Sequence, residues 1–278
     1  MSILERVQAV AESLTRAEHR LVREIIAKPR DVALGTASSL AQSIGVHEAT
    51  ASRLAKKLGF QNYAGFRDAI RDEFIVRADP AVRVRNTLEA AQGGDLLSDL
   101  IAREIEALTA LQSYVDSARI AGAARIVSAA RRVFIFARGN AVTLAVMLSR
   151  RLLRMGIDVE ILAGDGRDLA EQVLRLERED VLVAFAFRRQ PRHYGPLIER
   201  AHKVGAQTVA ISGSLGPALA PAPGLLLSAP RSGSNDGFQT LTVPMAITNA
   251  LVLTMAQMNR DEALERLETL GKLIDDFE

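Results

Sequence analysis

Apolar residues recur at spacings of three and four along residues 15–76, which predicts a string of short amphipathic helices. The pattern is interrupted at Lys28-Pro29, at Gly45 and at Gly59. Proline ends one helix, and the two glycines supply the left-handed backbone of a tight turn and of a helix C-cap. We therefore predict an all-α N-terminal domain over residues 1–77.

Beyond Ser117 the pattern changes to short, continuous apolar runs that alternate with helical segments. Continuous runs predict strands of a parallel sheet that helices cover on both faces. The predicted strands are residues 133–136, 158–162, 181–185, 207–211 and 224–227, with helices at 141–155, 168–178 and 194–204. We therefore predict an α/β domain over residues 117–278, with ligands beyond the carboxyl ends of its strands.

Between these regions, residues 78–116 are predicted to form a linker with connecting helices. Asp79-Pro80 and residues 92–95 (Gln-Gly-Gly-Asp) punctuate this stretch. Helical patterns occupy residues 81–91 and 98–115, and residues 78–97 are interpreted as a hinge.

The composition is that of an ordinary globular chain, with 278 residues, 48% of them hydrophobic and 24% charged. The absence of cysteine excludes disulfides, thiolate zinc sites and a cysteine nucleophile. The four histidines have no metal-ligand spacing, and we expect no metal and no cofactor. The first fifteen residues carry no apolar signal region, so we expect a cytoplasmic protein.

One uncharged stretch, residues 237–259, is long enough to cross a bilayer. It contains many Thr, Gln and Asn side chains, which favour a helix buried inside a large soluble domain over a membrane anchor. We therefore expect no membrane partner.

The basic surplus is N-terminal, since the first 77 residues hold 12 basic and 9 acidic side chains. So small a surplus does not by itself indicate a nucleic-acid binder, because scattered solvated charges account for it equally well. Whether this domain binds nucleic acid must therefore be judged from the pattern of residues within its helices.

Residues 38–60 have the pattern of a helix, a glycine turn and a second helix. Val46, Ala51, Leu54 and Leu58 form the predicted buried stripe of the second helix. The opposite side of the second helix then faces outward near the start of that helix. This is the part of a helix-turn-helix that enters the major groove. A helical hairpin that only packs in a bundle would have the same pattern, and it remains an alternative. The predicted DNA-binding residues are His47, Glu48, Ala49, Thr50, Ser52, Arg53, Lys56 and Lys57.

The chemistry of these side chains suggests two kinds of contact. Arg53 can make a bidentate contact with guanine, Glu48 can accept from cytosine N4, and Ala49 can touch a thymine methyl, while Ser52 is permissive. His47, Thr50, Lys56 and Lys57 are expected to hold backbone phosphates of duplex DNA and so set the register.

With both halves in view, the chain resembles the RpiR family of bacterial transcriptional regulators, which join an N-terminal helix-turn-helix domain to a C-terminal sugar-isomerase-type (SIS) domain. The resemblance rests on residues 14–18 (LTRAE), the turn from Leu40-Ala41 to Gly45-Val46, and residues 56–60 (KKLGF). In the second half it rests on the Gly139 turn, residues 151–156 (RLLRMG), Asp180 and residues 201–211 (AHKVGAQTVAI). His47 and Leu54 stand where the family usually has Ser and Phe.

This resemblance implies a flavodoxin-like sheet, a homodimer or homotetramer, and a phosphorylated sugar as the usual effector. SIS domains commonly hold the phosphate in hydroxyl-bearing turns after the first and third strands. Here those turns read Ala-Arg-Gly-Asn-Ala at residues 137–141 and Ala-Phe-Arg-Arg-Gln-Pro at residues 186–191, so the hydroxyls are absent.

Guanidinium groups in place of hydroxyls would bind a carboxylate or phosphate by a charged fork. We therefore predict a small anionic effector, a sugar phosphate or sugar acid. Solvated or interdomain arginines, and a turn or N-cap role for the asparagine, are the alternatives. The predicted effector-binding residues are Arg138, Gly139, Asn140, Arg188 and Arg189.

The sequence thus predicts a DNA-binding transcriptional regulator that is not an enzyme and has no catalytic residues. One alternative is a sugar-phosphate isomerase-like enzyme, for which His193 and Glu199 are the nearest candidates for a general base. Another is a regulator without an effector, whose SIS domain only dimerises. Residues 231–237 have the composition of either a ligand-covering loop or a plain connection, and no residue of this segment is singled out.

Overall fold

The computed structural model of the chain describes residues 3–71, 80–91, 94–233 and 237–278. Two helical regions precede a sheet domain along the chain. The predicted helical residue Phe74, Gln92-Gly93 of the linker and residues 234–236 of the last loop lie outside the described residues.

The described N-terminal domain is entirely helical, as predicted. Its helices start at residues suited to capping: the Thr15 and Glu18 side chains form a capping box at α2, and Pro29 occupies the first turn of α3. The bounds are α1 Ile3–Val10, α2 Arg16–Ala27, α3 Pro29–Leu34, α4 Ala37–Ser43, α5 Glu48–Lys57 and α6 Tyr63–Arg71. Leu21, Leu54 and Phe66 are fully buried between these helices.

The linker segment, residues 78–116, contains two helices, α7 (Pro80–Ala90) and α8 (Leu96–Ala110). Neither has a buried residue. The predicted hinge at residues 78–97 contains the whole of α7 and the first two residues of α8. Helix α8 packs on the helix Thr242–Met258 of the sheet domain.

The sheet domain contains five parallel strands in the order β2-β1-β3-β4-β5, which is a flavodoxin-like arrangement. All five strands were predicted from the apolar runs, and the fold class is confirmed. The strands are β1 Arg132–Phe136, β2 Asp158–Leu162, β3 Val181–Ala186, β4 Gln207–Ser212 and β5 Leu225–Ser228. Strand β3 lies in the middle of the sheet, and all six of its residues are buried.

Helices cover both faces of this sheet, as predicted. Alternate residues of β1 enter different cores, with Phe134 and Phe136 on one face and Val133 and Ile135 on the other. The helices are α9 Ser117–Ser128, α10 Val142–Arg154, α11 Gly166–Gln172, α12 Tyr194–Val204, α13 Thr242–Met258 and α14 Arg260–Phe277.

One predicted helix is shorter than expected. Residues 168–178 were predicted to be helical, but α11 ends at Gln172 and a 3-10 turn, Val173–Arg175, follows. The helix can end here because the Arg200 guanidinium donates to the backbone carbonyls of Val173, Leu174 and Leu176. These carbonyls therefore need no helical partners.

The uncharged stretch at residues 237–259 forms α13, which begins only at Thr242. Val243, Ile247, Leu251 and Met255 of this helix are buried in the sheet domain. In the described parts of the chain, no helix is long and apolar enough to span a membrane.

The two domains contact each other at the loop that follows β4. Gln8 of α1 donates a side-chain hydrogen bond of 3.3 Å to the Ser214 carbonyl. Helix α2 packs on the short turn Gly216–Ala218 in the same loop. The N-terminal domain thus contacts the edge of the sheet where the carboxyl ends of the strands lie.

Candidate functional site

The turn between α4 and α5 has the geometry that its sequence predicts. Gly45 has a φ of +64°, and the Val46 amide donates to the Ala41 carbonyl at 2.9 Å, which closes the turn. Ala41 is buried between the two helices. A side chain at Gly45 would have space, so its left-handed φ is the reason for glycine here.

Helix α5 has a buried side and an exposed side. Ala51, Leu54 and Leu58 are buried, and Val46 is half-buried against the same core. Four predicted DNA-contacting residues, Glu48, Ala49, Arg53 and Lys56, are exposed, and Ser52 is half-buried. The helix therefore presents one continuous polar surface that begins at its N-terminus.

The remaining predicted DNA contacts are also used inside the domain. His47 Nδ1 accepts from the Ala49 amide at 3.2 Å and caps α5. Thr50 is buried, and its hydroxyl accepts from the Arg53 guanidinium at 3.4 Å. Lys57 binds the Ser13 carbonyl and the Glu18 carboxylate. Their proposed phosphate contacts stay predictions.

The Glu18 carboxylate connects the start of α2 to the end of α5. It accepts from the Thr15 amide at 2.8 Å and from Lys57 Nζ at 3.1 Å, and its side chain is only 9% exposed. Burial raises the pKa of Glu18, but the hydrogen bonds from Thr15 and Lys57 outweigh it and hold the pKa below its ordinary value. This ion pair fixes α5 on the rest of the domain.

At the sheet, the turn after β1 contains the predicted residues Arg138, Gly139 and Asn140. The Arg138 guanidinium donates to the carbonyls of Leu162 and Gly164, at 3.2 and 2.6 Å, and lies 4.6 Å from the Phe136 ring centroid. Gly139, with a φ of +60°, and Asn140 are both exposed. Arg138 therefore ties the end of β1 to the end of β2.

The turn after β3 carries Arg188 and Arg189. Arg188 donates to the Gly237 carbonyl at 3.4 Å, whereas Arg189 is exposed and has no hydrogen-bond partner among the described residues. Gln190 holds both the amide and the carbonyl of Ala220, at 2.9 and 2.8 Å. The turn after β3 is thereby attached to the loop on which α1 and α2 rest.

A histidine–aspartate contact near this turn had not been predicted. His193 adopts a left-handed φ of +72° at the start of α12, and its Nε2 lies 2.6 Å from Asp165 Oδ1. The hydrogen bond from His193, with one from the Gly166 amide and the charge of Arg192, lowers the pKa of Asp165. The other proposed base, Glu199, is exposed on α12. Asp165 and His193 lie far apart in sequence, so no local motif could show the contact.

Sequence reasoning also missed Arg231, which follows β5. Its guanidinium lies 5.0 Å from the Phe187 ring centroid and donates to the Gln239 side chain. Burial, with the nearby charges of Arg188 and Arg83, lowers the pKa of Arg231 to about 10. The available signal was an arginine just beyond the carboxyl end of a predicted strand.

Comparison with known proteins supports both halves of this architecture. The family model described as the helix-turn-helix domain of the rpiR family matches residues 1–75, and the SIS domain model matches residues 126–254. The chain belongs to the RpiR family. This finding confirms the resemblance that the turn and strand motifs indicate.

Two curated relatives match this chain over nearly their whole length. An HTH-type transcriptional regulator from Haemophilus influenzae is 23% identical, over 99% of this chain and 97% of the relative. The HTH-type transcriptional regulator RpiR of Escherichia coli K12 is also 23% identical, over 96% of this chain and 90% of its own. These relatives are named as transcriptional regulators.

Two solved structures share the fold of this RpiR-family chain. The sugar isomerase domain of an RpiR transcription factor from Sphaerobacter thermophilus has a TM-score of 0.58 at 21% identity, and covers 63% of this chain and 97% of that one. Vibrio vulnificus NanR, solved in complex with ManNAc-6P, has a TM-score of 0.58 at 18% identity, and covers 100% and 99%.

Proposed function

We propose that this RpiR-family regulator binds duplex DNA through the exposed side of α5, and that a small anionic metabolite bound by its SIS domain changes DNA occupancy. The observation that carries the DNA-binding part is the exposed group of Glu48, Ala49, Arg53 and Lys56 on a helix whose other side is buried. Such a helix can enter a major groove without exposing its core.

Base contacts are assigned to Arg53, Glu48, Ala49 and Ser52, which project from the first turns of α5. Lys56 follows on the exposed side and is suited to a backbone phosphate. His47, Thr50 and Lys57 are also proposed to contact backbone phosphates. Of these, Lys57 also holds α5 on the rest of the domain through Glu18.

The effector part rests on the chemistry of the sheet edge. The turns after β1 and β3 lie on either side of the point where the strand order reverses, which is where ligands bind in such sheets. Arg138, Gly139, Asn140, Arg188 and Arg189 are the proposed contacts, and guanidinium groups favour an anion. NanR, a structural neighbour, was solved with a phosphorylated amino sugar, which supports a sugar phosphate or sugar acid.

We propose that the chain acts as a homodimer or homotetramer. Helix α8 exposes Leu97, Ile101, Ile105 and Leu108, which recur at helical spacing on one side, and Leu97 is 66% exposed. Helix α14 exposes Leu264, Leu267, Ile274 and Phe277. Apolar surfaces of this kind mark protein interfaces.

We further propose that the chain is a regulator in the cytoplasm and not an isomerase. The regulatory names of the relatives support this proposal. Binding chromosomal DNA requires access to the chromosome. In the mechanism, the effector must bind one arrangement of the paired DNA-binding domains more tightly than another, because only this difference shifts DNA occupancy.

Selection of bound duplexes from a random pool, followed by footprinting, tests the proposal. We expect two half-sites whose centres are about one helical turn, or a multiple of it, apart. Light scattering of the full chain should give a dimer or tetramer, and Ile101→Glu with Ile105→Glu should shift it toward the monomer. Recovery of no preferred sequence, or of single half-sites bound by a monomer, would contradict the proposal.

A further inference from the structure

The loop after β4, residues 213–221, supports the N-terminal domain. Gln8 of α1 donates to the Ser214 carbonyl at 3.3 Å, and helix α2 packs on the turn Gly216–Ala218. Leu215 is buried in a hydrophobic cluster that also contains the buried residues of α1 and α2. The loop and the N-terminal domain therefore share apolar contacts, and a shift of the loop should also shift the domain.

The first residues of this loop are fixed to the ends of neighbouring strands. Ser212, the last residue of β4, donates through its hydroxyl to the Ala186 carbonyl at the end of β3. Ser228, at the end of β5, donates through its hydroxyl to the Gly213 carbonyl at 2.6 Å. The start of the loop is thereby tied to the sheet, so its later part is the region that a neighbouring loop can displace.

The later part of the loop is held by Gln190, from the turn after β3. Gln190 Oε1 accepts from the Ala220 amide at 2.9 Å, and its Nε2 donates to the Ala220 carbonyl at 2.8 Å. One side-chain amide therefore satisfies both polar groups of one backbone residue. Two hydrogen bonds fix the position of Ala220 relative to the turn more closely than a single bond would.

Building on the proposed function, we propose that Gln190 couples effector binding to the position of the DNA-binding domain within one chain. Gln190 directly follows Arg188 and Arg189, two of the proposed effector contacts. An effector held there displaces the turn after β3, and Gln190 passes this displacement through Ala220 to the loop beneath α1 and α2. Gln190 is thus a positioning residue. By linkage, DNA binding must act on the turn to the same extent.

The chain contains a second contact of the same kind, which provides a matched control. Gln172 Oε1 accepts from the Ala163 amide at 3.0 Å, and its Nε2 donates to the Ala163 carbonyl at 2.8 Å. Ala163 follows β2, which lies on the far side of β1 from β3 and β4. Replacement of Gln172 therefore removes the same pair of hydrogen bonds from a different loop at this edge of the sheet.

Coupling is measured by calorimetric titration of the full chain with ManNAc-6P, 6-phosphogluconate and gluconate, with and without the selected operator duplex. The ratio of the two dissociation constants of the tightest ligand is the coupling factor, which we expect to be about five-fold or more in the wild type. It should approach one in Gln190→Ala and keep its wild-type value in Gln172→Ala. A merely structural role of Gln190 would weaken both affinities and leave their ratio unchanged.

Hydrogen exchange provides a second measurement that requires no effector. Operator binding should change the exchange of the backbone amides at residues 187–190 in the wild type and in Gln172→Ala, but not in Gln190→Ala. Gln190→Glu keeps the test decisive should Gln190→Ala fail to fold. Its carboxylate still accepts from the Ala220 amide but cannot donate to the Ala220 carbonyl, so the coupling factor should also fall.

A coupling factor that persists in both Gln190 variants would overturn this inference and leave the proposed function in place. A wild-type chain that binds an anion and the operator without coupling would contradict both. If none of the three anions binds, hydrogen exchange decides. An operator-dependent change at residues 187–190 that is missing from the wild type, or that survives in the Gln190 variants, would also overturn the inference.

Discussion

The exposed side of α5 and the carboxyl edge of the sheet both carry arginines, but these arginines are held in different ways. On α5, Arg53 is exposed and donates a hydrogen bond to the hydroxyl of Thr50. At the sheet, Arg138 donates to carbonyls at the end of the neighbouring strand, and Arg231 is half-buried against an aromatic ring.

This difference matters for the two kinds of ligand. DNA presents a large, charged surface that exposed side chains can reach, so a polar helix surface is sufficient for its recognition. A small anion must be surrounded, and the groups that surround it come from several loops. The predictions below test this contrast from the largest expected effect to the smallest.

Replacement of Arg53 by Ala should weaken binding to the selected operator by about ten- to hundred-fold, because a bidentate base contact contributes about 1–3 kcal/mol of discrimination. Affinity for random duplexes should change little. Fluorescence anisotropy with both duplexes measures this, and Arg23→Ala on α2 is a matched control at an exposed position. Equal losses for both duplexes would assign Arg53 to a phosphate instead.

Replacement of Glu18 by Gln should lower the free energy of unfolding by about 1–3 kcal/mol at neutral pH, because it removes a charged, largely buried hydrogen-bond acceptor. Denaturant titration measures the change. Glu24→Gln is the control, since Glu24 makes a more exposed pair with Lys28 of the same helix segment. A similar loss in both variants would show that the link between α2 and α5 has no special role.

The same carboxylate predicts a dependence of stability on pH. Because the pKa of Glu18 is lower in the folded state than its ordinary value, its stabilisation is complete above the unfolded pKa of about 4.3. It is lost as the pH falls through the lower folded pKa. Unfolding followed below neutral pH should therefore show a smaller acid-induced loss in Glu18→Gln than in the wild type, and an identical loss would contradict this prediction.

Replacement of Lys56 and of Lys57, at the end of α5, should both weaken DNA binding, but only replacement of Lys57 should also lower thermal stability. Lys56→Ala should weaken binding to all duplexes and reduce the slope of log K against log salt by about 0.9, the value for one phosphate contact. Lys57 is predicted to contribute a second such step, but Lys57→Ala should also lower thermal stability because it breaks the pair with Glu18. Salt titrations and melting curves of both single variants measure this. An unchanged slope in either variant would mean that its lysine does not contact a phosphate.

Replacement of His47 by Ala should lower the free energy of unfolding by about 0.5–1 kcal/mol, because α5 loses its N-cap. His47→Ser should restore the stability, since serine is a good N-cap. Thermal unfolding of the two variants is the measurement. If serine does not restore stability, the imidazole has a role at this position other than capping.

Much of the fold could be predicted because its signals are local. The period of three and four along residues 15–76, the glycine at position 45 and the continuous apolar runs each reflect interactions within a few residues. The strand positions and the two faces of α5 followed from them. The end of α11 did not, because Arg200 of the next helix supplies partners for the carbonyls after Gln172.

The candidate effector site also has features that the sequence predicted and features that it did not. Its location at the ends of the strands followed from the alternation of strands and helices, and the replacement of hydroxyl-bearing turns by Arg138, Arg188 and Arg189 was visible in the sequence. Arg231 was not identified, because its loop has an ordinary composition and its contact with Phe187 joins the loops after β5 and β3. The contact between His193 and Asp165 likewise joins two loops.

The sequence by itself determined the helix-turn-helix and the parallel sheet, because apolar period and turn chemistry depend on neighbouring residues. The family followed from a resemblance of short motifs in both halves of the chain. Only the tertiary structure decided that Arg138 donates to the carbonyls of Leu162 and Gly164, that Lys57 pairs with Glu18, and that His193 lies beside Asp165. These relations join residues that are distant in the chain. They are set by packing, which fixes distance and burial, and those two quantities determine the energy of a charge.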